Sequence, residues 1–135
     1  MGYYSTLEGA HSFKTWCRSQ ADIRQAFEQE FAGRPELKQI EDLGYELVIR
    51  ENDGVHYIDI EASEYTQKHW YENELVRLIR KLLAPGGRTY LIFVGEDGEH
   101  WGYAITPESI QDIEHVYRVN GRLLDDWLAE ADTKP

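Results

Sequence analysis

At 135 residues the chain falls within the span of one domain and can bury a continuous apolar core without staples. Hydrophobic residues make up 41% and charged residues 29%, ordinary globular usage that excludes a disordered or fibrous chain, and no apolar run approaches the length of a bilayer span. Twenty-five acids against fourteen bases give −11 with His neutral, a field that repels phosphate and argues against direct nucleic-acid binding and against docking on anionic membranes.

The opening segment, Gly2 to Phe13, carries β-favouring Tyr3, Tyr4, Thr6 and Leu7 and predicts a strand, with Gly9 as the place for a bend or bulge. Ser19 followed by Asp22 reads as a helix start, because a capping hydroxyl and an acid at the third helical position both accept from free backbone N–H groups. Ile23, Ala26, Phe27 and Phe31 then mark one helical face, and Gly33 closes the helix. Pro35 opens a short second helix through Leu43, which Gly44 ends.

Residues 45–50 and 55–61 alternate around Asn52-Asp53-Gly54, whose residues tolerate the positive φ of a tight hairpin turn. On the second strand His56, Ile58 and Ile60 share the face expected inside, while Tyr57, Asp59 and Glu61 share the other. The longest helix is expected from Thr66 to Leu83, with Tyr71, Leu75, Leu78, Ile79 and Leu82 facing the core. Arg77, Arg80 and Lys81 lie near its C-terminal end, where cations complement the helix dipole.

Pro85-Gly86-Gly87 turns the chain into an almost wholly apolar strand, Arg88 to Val94, suited to the middle of a sheet. Glu96-Asp97-Gly98 is a second hairpin turn, and the return strand Glu99 to Ile105 places Trp101 and Tyr103 on one face. Thr106-Pro107 is read as the start of a short helix through Glu114. A strand Val116 to Val119, a turn at Asn120-Gly121 and a final helix near Asp125 to Ala129 follow. The order predicts a single α+β domain over residues 1–130, a mainly antiparallel sheet of five or six strands with helices packed on it, and a loose tail at 131–135.

No constellation in the sequence points to catalysis. Cys17 is alone, so it can form neither an internal disulfide nor a thiolate metal cluster, and it reads as a buried or half-buried thiol. The five His residues are scattered singly, without the spacing of a zinc site. No strained nucleophile turn is present, and Pro85-Gly86-Gly87-Arg88 lacks the Lys-Ser/Thr ending of a phosphate loop. Asp59 and Glu61 share a strand face and could hold one hard cation, which would suit a small metal-dependent hydrolase, but a solvated strand face is the plainer reading. The chain is therefore expected to be no enzyme and to need neither cofactor nor metal.

What stands out is negative charge joined to aromatic rings. Residues 96–135 hold ten acids and three bases, a net −7, and the chain has four Trp and nine Tyr. Glu96, Asp97 and Glu99 surround the hairpin before Trp101, and Asp125 and Asp126 open the last helix. Trp and Tyr are frequent binding hot spots, and an acidic rim around them suits an Arg- or Lys-rich protein surface. These six residues form the expected binding site.

The start Met1-Gly2-Tyr3-Tyr4-Ser5-Thr6-Leu7-Glu8-Gly9, the segment Trp70 to Leu75 and the hairpin Gly95 to Glu99 resemble small acidic bacteriophage accessory proteins of otherwise unknown function. The resemblance implies a protein made in a bacterial host's cytoplasm that binds and redirects or inhibits a host machine. The target would be the basic surface of a host protein or nucleoprotein complex, with RNA polymerase favoured over a CRISPR complex or a restriction enzyme. A toxin-neutralising immunity protein would use the same complementarity. The start lacks a signal-peptide pattern and is read as cytoplasmic.

Overall fold

The computed structural model describes residues 5–10, 12–62, 71–95, 97–113 and 118–130. The fold is α+β, and every strand pairing among the described residues is antiparallel. The strands do not form one sheet. β1 (Ser5–Ala10), β5 (Thr89–Gly95), β6 (His100–Ile105) and β7 (Ile110–Asp112) make a four-stranded sheet in the order β1-β5-β6-β7. β2 (Phe13–Lys14), β4 (Val55–Ala62) and β3 (Tyr45–Asn52) make a three-stranded sheet in the order β2-β4-β3, and β8 (Arg118–Val119) and β9 (Arg122–Leu123) form a small ribbon.

The predicted first strand is divided between the two sheets. β1 pairs with β5, with a register shift between Leu7 and Gly9 where a bulge was expected, and the chain then hands Phe13 and Lys14 to β4. Helix α1 (Gln20–Glu30) follows. Ser19 is its N-cap, but its hydroxyl makes no capping bond; Asp22 Oδ2 instead accepts from the Arg18 backbone N–H at 2.8 Å. The stretch expected as a second helix is a turn followed by a 3-10 helix over Ile40–Leu43, ended by Gly44 at φ 92°. The β3–β4 hairpin has a two-residue loop with Asp53 at φ 53° and Gly54 at φ 79°, the positive pair a right-twisted hairpin requires.

Helix α2 (Glu72–Leu82) buries Leu75, Val76, Leu78, Ile79 and Leu82, while the start of its predicted span, 66–70, lies outside the described residues. These side chains share one core with Ile23 and Phe27 of α1, with its C-cap Phe31 and with the inner faces of both sheets, among them Phe13, Tyr45, Leu47, Ile58, Leu91, Phe93 and Ile105. Cys17 lies wholly inside this core, and burial pushes its thiol pKa up.

Residues 106–113 correct the sequence reading. They form a hairpin turn and β7, not a helix. Thr106 and Ser109 exchange backbone hydrogen bonds across Pro107-Glu108, and Thr106 Oγ1 accepts from the N–H groups of Glu108 and Ser109. Pro after a hydroxyl residue suits both the first turn of a helix and position i+1 of a β-turn. Sheet pairing decides between them: the Ile113 N–H donates to the Gly102 carbonyl at 3.0 Å. Gly102 leaves no room for a side chain, because a Cβ there would lie 2.4 Å from the Leu91 carbonyl oxygen and 3.0 Å from Ile113 Cδ1.

A second cluster forms on the outer face of the four-stranded sheet. Helix α3 (Leu124–Ala129) packs Leu124 and Trp127 with Ile92, Ala104 and Val119, with Tyr90, Ile113 and Leu128 around them. Arg88 fastens this layer by donating to the Trp127 carbonyl at 2.9 Å and to Glu130 at 3.0 Å.

Candidate functional site

Of the predicted site residues, Trp101 does not share a face of the sheet with the helix that carries Asp125 and Asp126. Asp97 and Glu99 stand exposed at the tip of the β5–β6 hairpin, where Asp97 Oδ1 accepts from the Glu99 backbone N–H at 3.1 Å, and Glu96 lies outside the described residues. Trp101 points the other way, into the main core. Its ring stacks on Phe93 with centroids 6.0 Å apart, and its Nε1 donates to Glu72 Oε1 at 2.8 Å. Tyr103 donates its hydroxyl to the same oxygen. Burial first, and then the neighbouring Glu72 carboxylate, raise the Tyr103 pKa, because a phenolate there would be both poorly solvated and repelled.

Glu72 thus joins the first turn of α2 to β6, and the positive end of the helix dipole favours its charge. The arrangement is a clamp between two elements. Asp125 and Asp126 are exposed in the first turn of α3, which covers the face of the sheet opposite to Trp101.

A different surface is bare. The inner face of the three-stranded sheet joins the main core, but its outer face carries Glu46, Val48 and Arg50 from β3 and Val55, Tyr57, Asp59 and Glu61 from β4, with Val48 42% and Val55 39% exposed. In register, Glu46 lies opposite Glu61 and Val48 opposite Asp59. Two carboxylates facing each other across a strand pair repel, so this pair reduces stability. Asp59 is occupied: Arg50 Nε and Nη2 reach its two oxygens at 3.0 and 3.4 Å, and Ser12 donates a further hydrogen bond. Arg50 and then Ser12 hold its pKa below the usual carboxylate range. The Arg50 guanidinium also sits 4.8 Å over the Tyr57 ring. Asp59 is thus committed to an ion pair while its neighbour Glu61 on the same face is not, and the described residues hold no cluster of three or more metal-binding side chains.

The edge of β3 is closed by a side chain. The Gln20 carboxamide accepts from the Ile49 N–H at 2.9 Å and donates to the Leu47 carbonyl at 3.2 Å, taking the place of a further strand. The outer face, not this stretch of edge, is what the sheet leaves open.

Among the described residues, six cations are ion-paired within the fold. Arg34 holds Glu36 and Glu74, Arg50 holds Asp59, Arg77 and Lys81 share Glu30, and Arg88 and Arg122 share Glu130. By contrast Glu46, Glu51, Asp53, Glu61, Glu99, Asp125 and Asp126 have neither an ion pair nor a side-chain hydrogen bond among the described residues.

Sequence reasoning missed Glu72 as the acceptor that turns Trp101 inward, since 29 positions separate the two and no local pattern links them. It placed Asp59 and Glu61 on a solvated strand face, as found, but did not single that face out for binding. No family model, curated protein or solved structure matches the chain. No described helix is long and apolar enough to cross a membrane.

Proposed function

We propose that this protein is a non-catalytic binding protein that docks on a basic surface of a bacterial host protein or nucleoprotein complex. The supporting observation is the unequal use of charge: six cations, Arg34, Arg50, Arg77, Lys81, Arg88 and Arg122, are tied to carboxylates within the fold, while a set of exposed carboxylates has no partner of its own among the described residues. Such groups stay hydrated at no cost in the free protein, steer a cationic partner and gain their ion pairs on docking. Two patches supply them, the Glu46–Glu61 pair on the bare sheet face and Glu99 at the hairpin tip. The resemblance to phage accessory proteins makes a host machine the partner to seek, RNA polymerase first.

Tagged protein is passed through bacterial lysate at low and moderate salt, and the retained proteins are identified by mass spectrometry. One stoichiometric complex, weakened by salt, is the expected result. Charge reversal then separates the patches: Glu46→Lys with Glu61→Lys tests the sheet face, and Asp97→Lys with Glu99→Lys tests the tip. Retention that ignores salt and survives both reversals in folded protein would overturn the proposal, as would an empty lane at low salt.

A further inference from the structure

A groove of about 390 Å³, lined by Glu30, Arg77, Arg80, Lys81 and Pro107, runs where α1, α2 and the turn after β6 come together. Arg77, Arg80 and Lys81 are spaced to lie on one side of α2, at i, i+3 and i+4. Among the described residues Glu30 is the one carboxylate in the lining, and it is shared: Lys81 Nζ lies 3.1 Å from Oε1 and Arg77 Nε 3.8 Å from Oε2. Arg80 is held differently, donating to the backbone carbonyls of Pro107 at 3.0 Å and Glu108 at 3.5 Å. Carbonyls fix a guanidinium without neutralising it. Three cations against one anion leave the groove at +2 in a chain of −11.

We propose that this groove binds a small multivalent oxyanion of the phosphate class. One role of these cations is structural, tying α1 to α2 and α2 to the 106–109 turn, and cations in a last helical turn complement its dipole. That role accounts for one carboxylate and two carbonyls; it leaves two positive charges beside an open groove. Guanidinium groups match tetrahedral oxyanions through paired N–H donors, and Arg80 is already oriented by its two carbonyl contacts. Lys81 adds a mobile point charge, its side chain 51% exposed. The site is separate from the proposed carboxylate surface and stands or falls without it.

Calorimetric titration of the intact protein with pyrophosphate and with inorganic phosphate, at low ionic strength, tests the proposal. Saturable binding of one equivalent, tighter for pyrophosphate, is expected. Two variants move it in opposite directions. Lys81→Met should weaken pyrophosphate binding about fivefold, the effect of one charge at about 4 Å in water. Glu30→Gln removes the competing carboxylate and should tighten binding by a similar factor, although it breaks the tie between the helices. A purely structural cluster predicts the reverse for Glu30→Gln, since loosening α1 from α2 would disperse the cations. Absence of saturable heat with either anion, or equal weakening by both variants with the fold confirmed by circular dichroism, would overturn the proposal.

Discussion

β5 and β4 hold the same central place in their sheets and meet opposite fates. β5 is covered on both faces, by the main core on Leu91 and Phe93 and by the α3 layer on Ile92. β4 buries Ile58 on one face and leaves Val55 exposed and Tyr57 and Asp59 half-exposed on the other. Their sequences carry the difference. Tyr90-Leu91-Ile92-Phe93-Val94 is apolar at every position, as a strand between two layers must be, whereas His56-Tyr57-Ile58-Asp59-Ile60-Glu61 alternates. The two-sided sheet builds the molecule, and the one-sided sheet presents a surface.

The sharpest way to break this comparison is to cut side chains from each sheet and compare urea unfolding. Phe93→Ala removes a fully buried ring that stacks on Trp101 and meets Tyr103 edge-on, and should cost about 4 kcal/mol. Val48→Ala, on the bare face, should change stability by less than about 0.5 kcal/mol. Comparable losses at the two positions would mean that the β3–β4 face is covered in solution.

Gly102→Ala probes the double covering directly. Its Cβ would meet backbone at Leu91 and the side chain that Ile113 lays across the strand, and a carbonyl in a central ladder cannot give way cheaply. A loss of about 3 kcal/mol is expected, at the upper end for overpacking. The acceptor that joins this sheet to α2 comes next. Glu72→Ala leaves the Trp101 and Tyr103 donors without their shared oxygen and should cost about 1.5 kcal/mol, with weakened near-ultraviolet circular dichroism from the released indole.

Much of this architecture was legible because short-range chemistry dictates it. The Asp53-Gly54 and Asn120-Gly121 turns, the apolar β5, the α2 stripe and the Leu7/Gly9 irregularity all follow from side-chain period and backbone conformation. What escaped depends on partners distant in sequence. Thr106-Pro107 satisfies the local chemistry of a helix start and of a turn equally, and only pairing with β6 selects the turn. Trp101 looks like an anchor for a partner until Glu72 is brought to its Nε1. The division of residues 5–14 between two sheets also has no local signature, since both halves favour the same extended backbone.

The acid limb of stability reports on the one-sided sheet. Asp59 has a depressed pKa in the folded protein, so it stabilises the fold above its unfolded pKa, and that contribution is lost as pH falls through the folded value. Asp59→Asn should flatten this part of the acid limb, and carbon-detected NMR should place the Asp59 midpoint below that of an ordinary aspartate. Along the strand edge, Gln20→Ala removes the two hydrogen bonds that close β3 and should cost about 1 kcal/mol. It should also produce concentration-dependent self-association in sedimentation, because an uncapped edge pairs with other strands.

A small gain in stability separates surface from scaffold most cleanly. Glu46 and Glu61 face each other in register without a cation between them, and this arrangement opposes folding. Glu61→Lys replaces the repulsion with a cross-strand ion pair and should stabilise the protein by about 0.5 kcal/mol in urea unfolding at low salt, with the gain reduced at high salt. If the pair serves to receive a cationic partner, the same substitution should weaken retention of that partner while raising stability. A gain in stability with retention unchanged would take the sheet face out of the interface and leave the hairpin tip at Asp97 and Glu99 to carry it. Opposite movement of the two measurements would show that the repulsion is maintained against the interest of the fold, which only a role outside the fold explains.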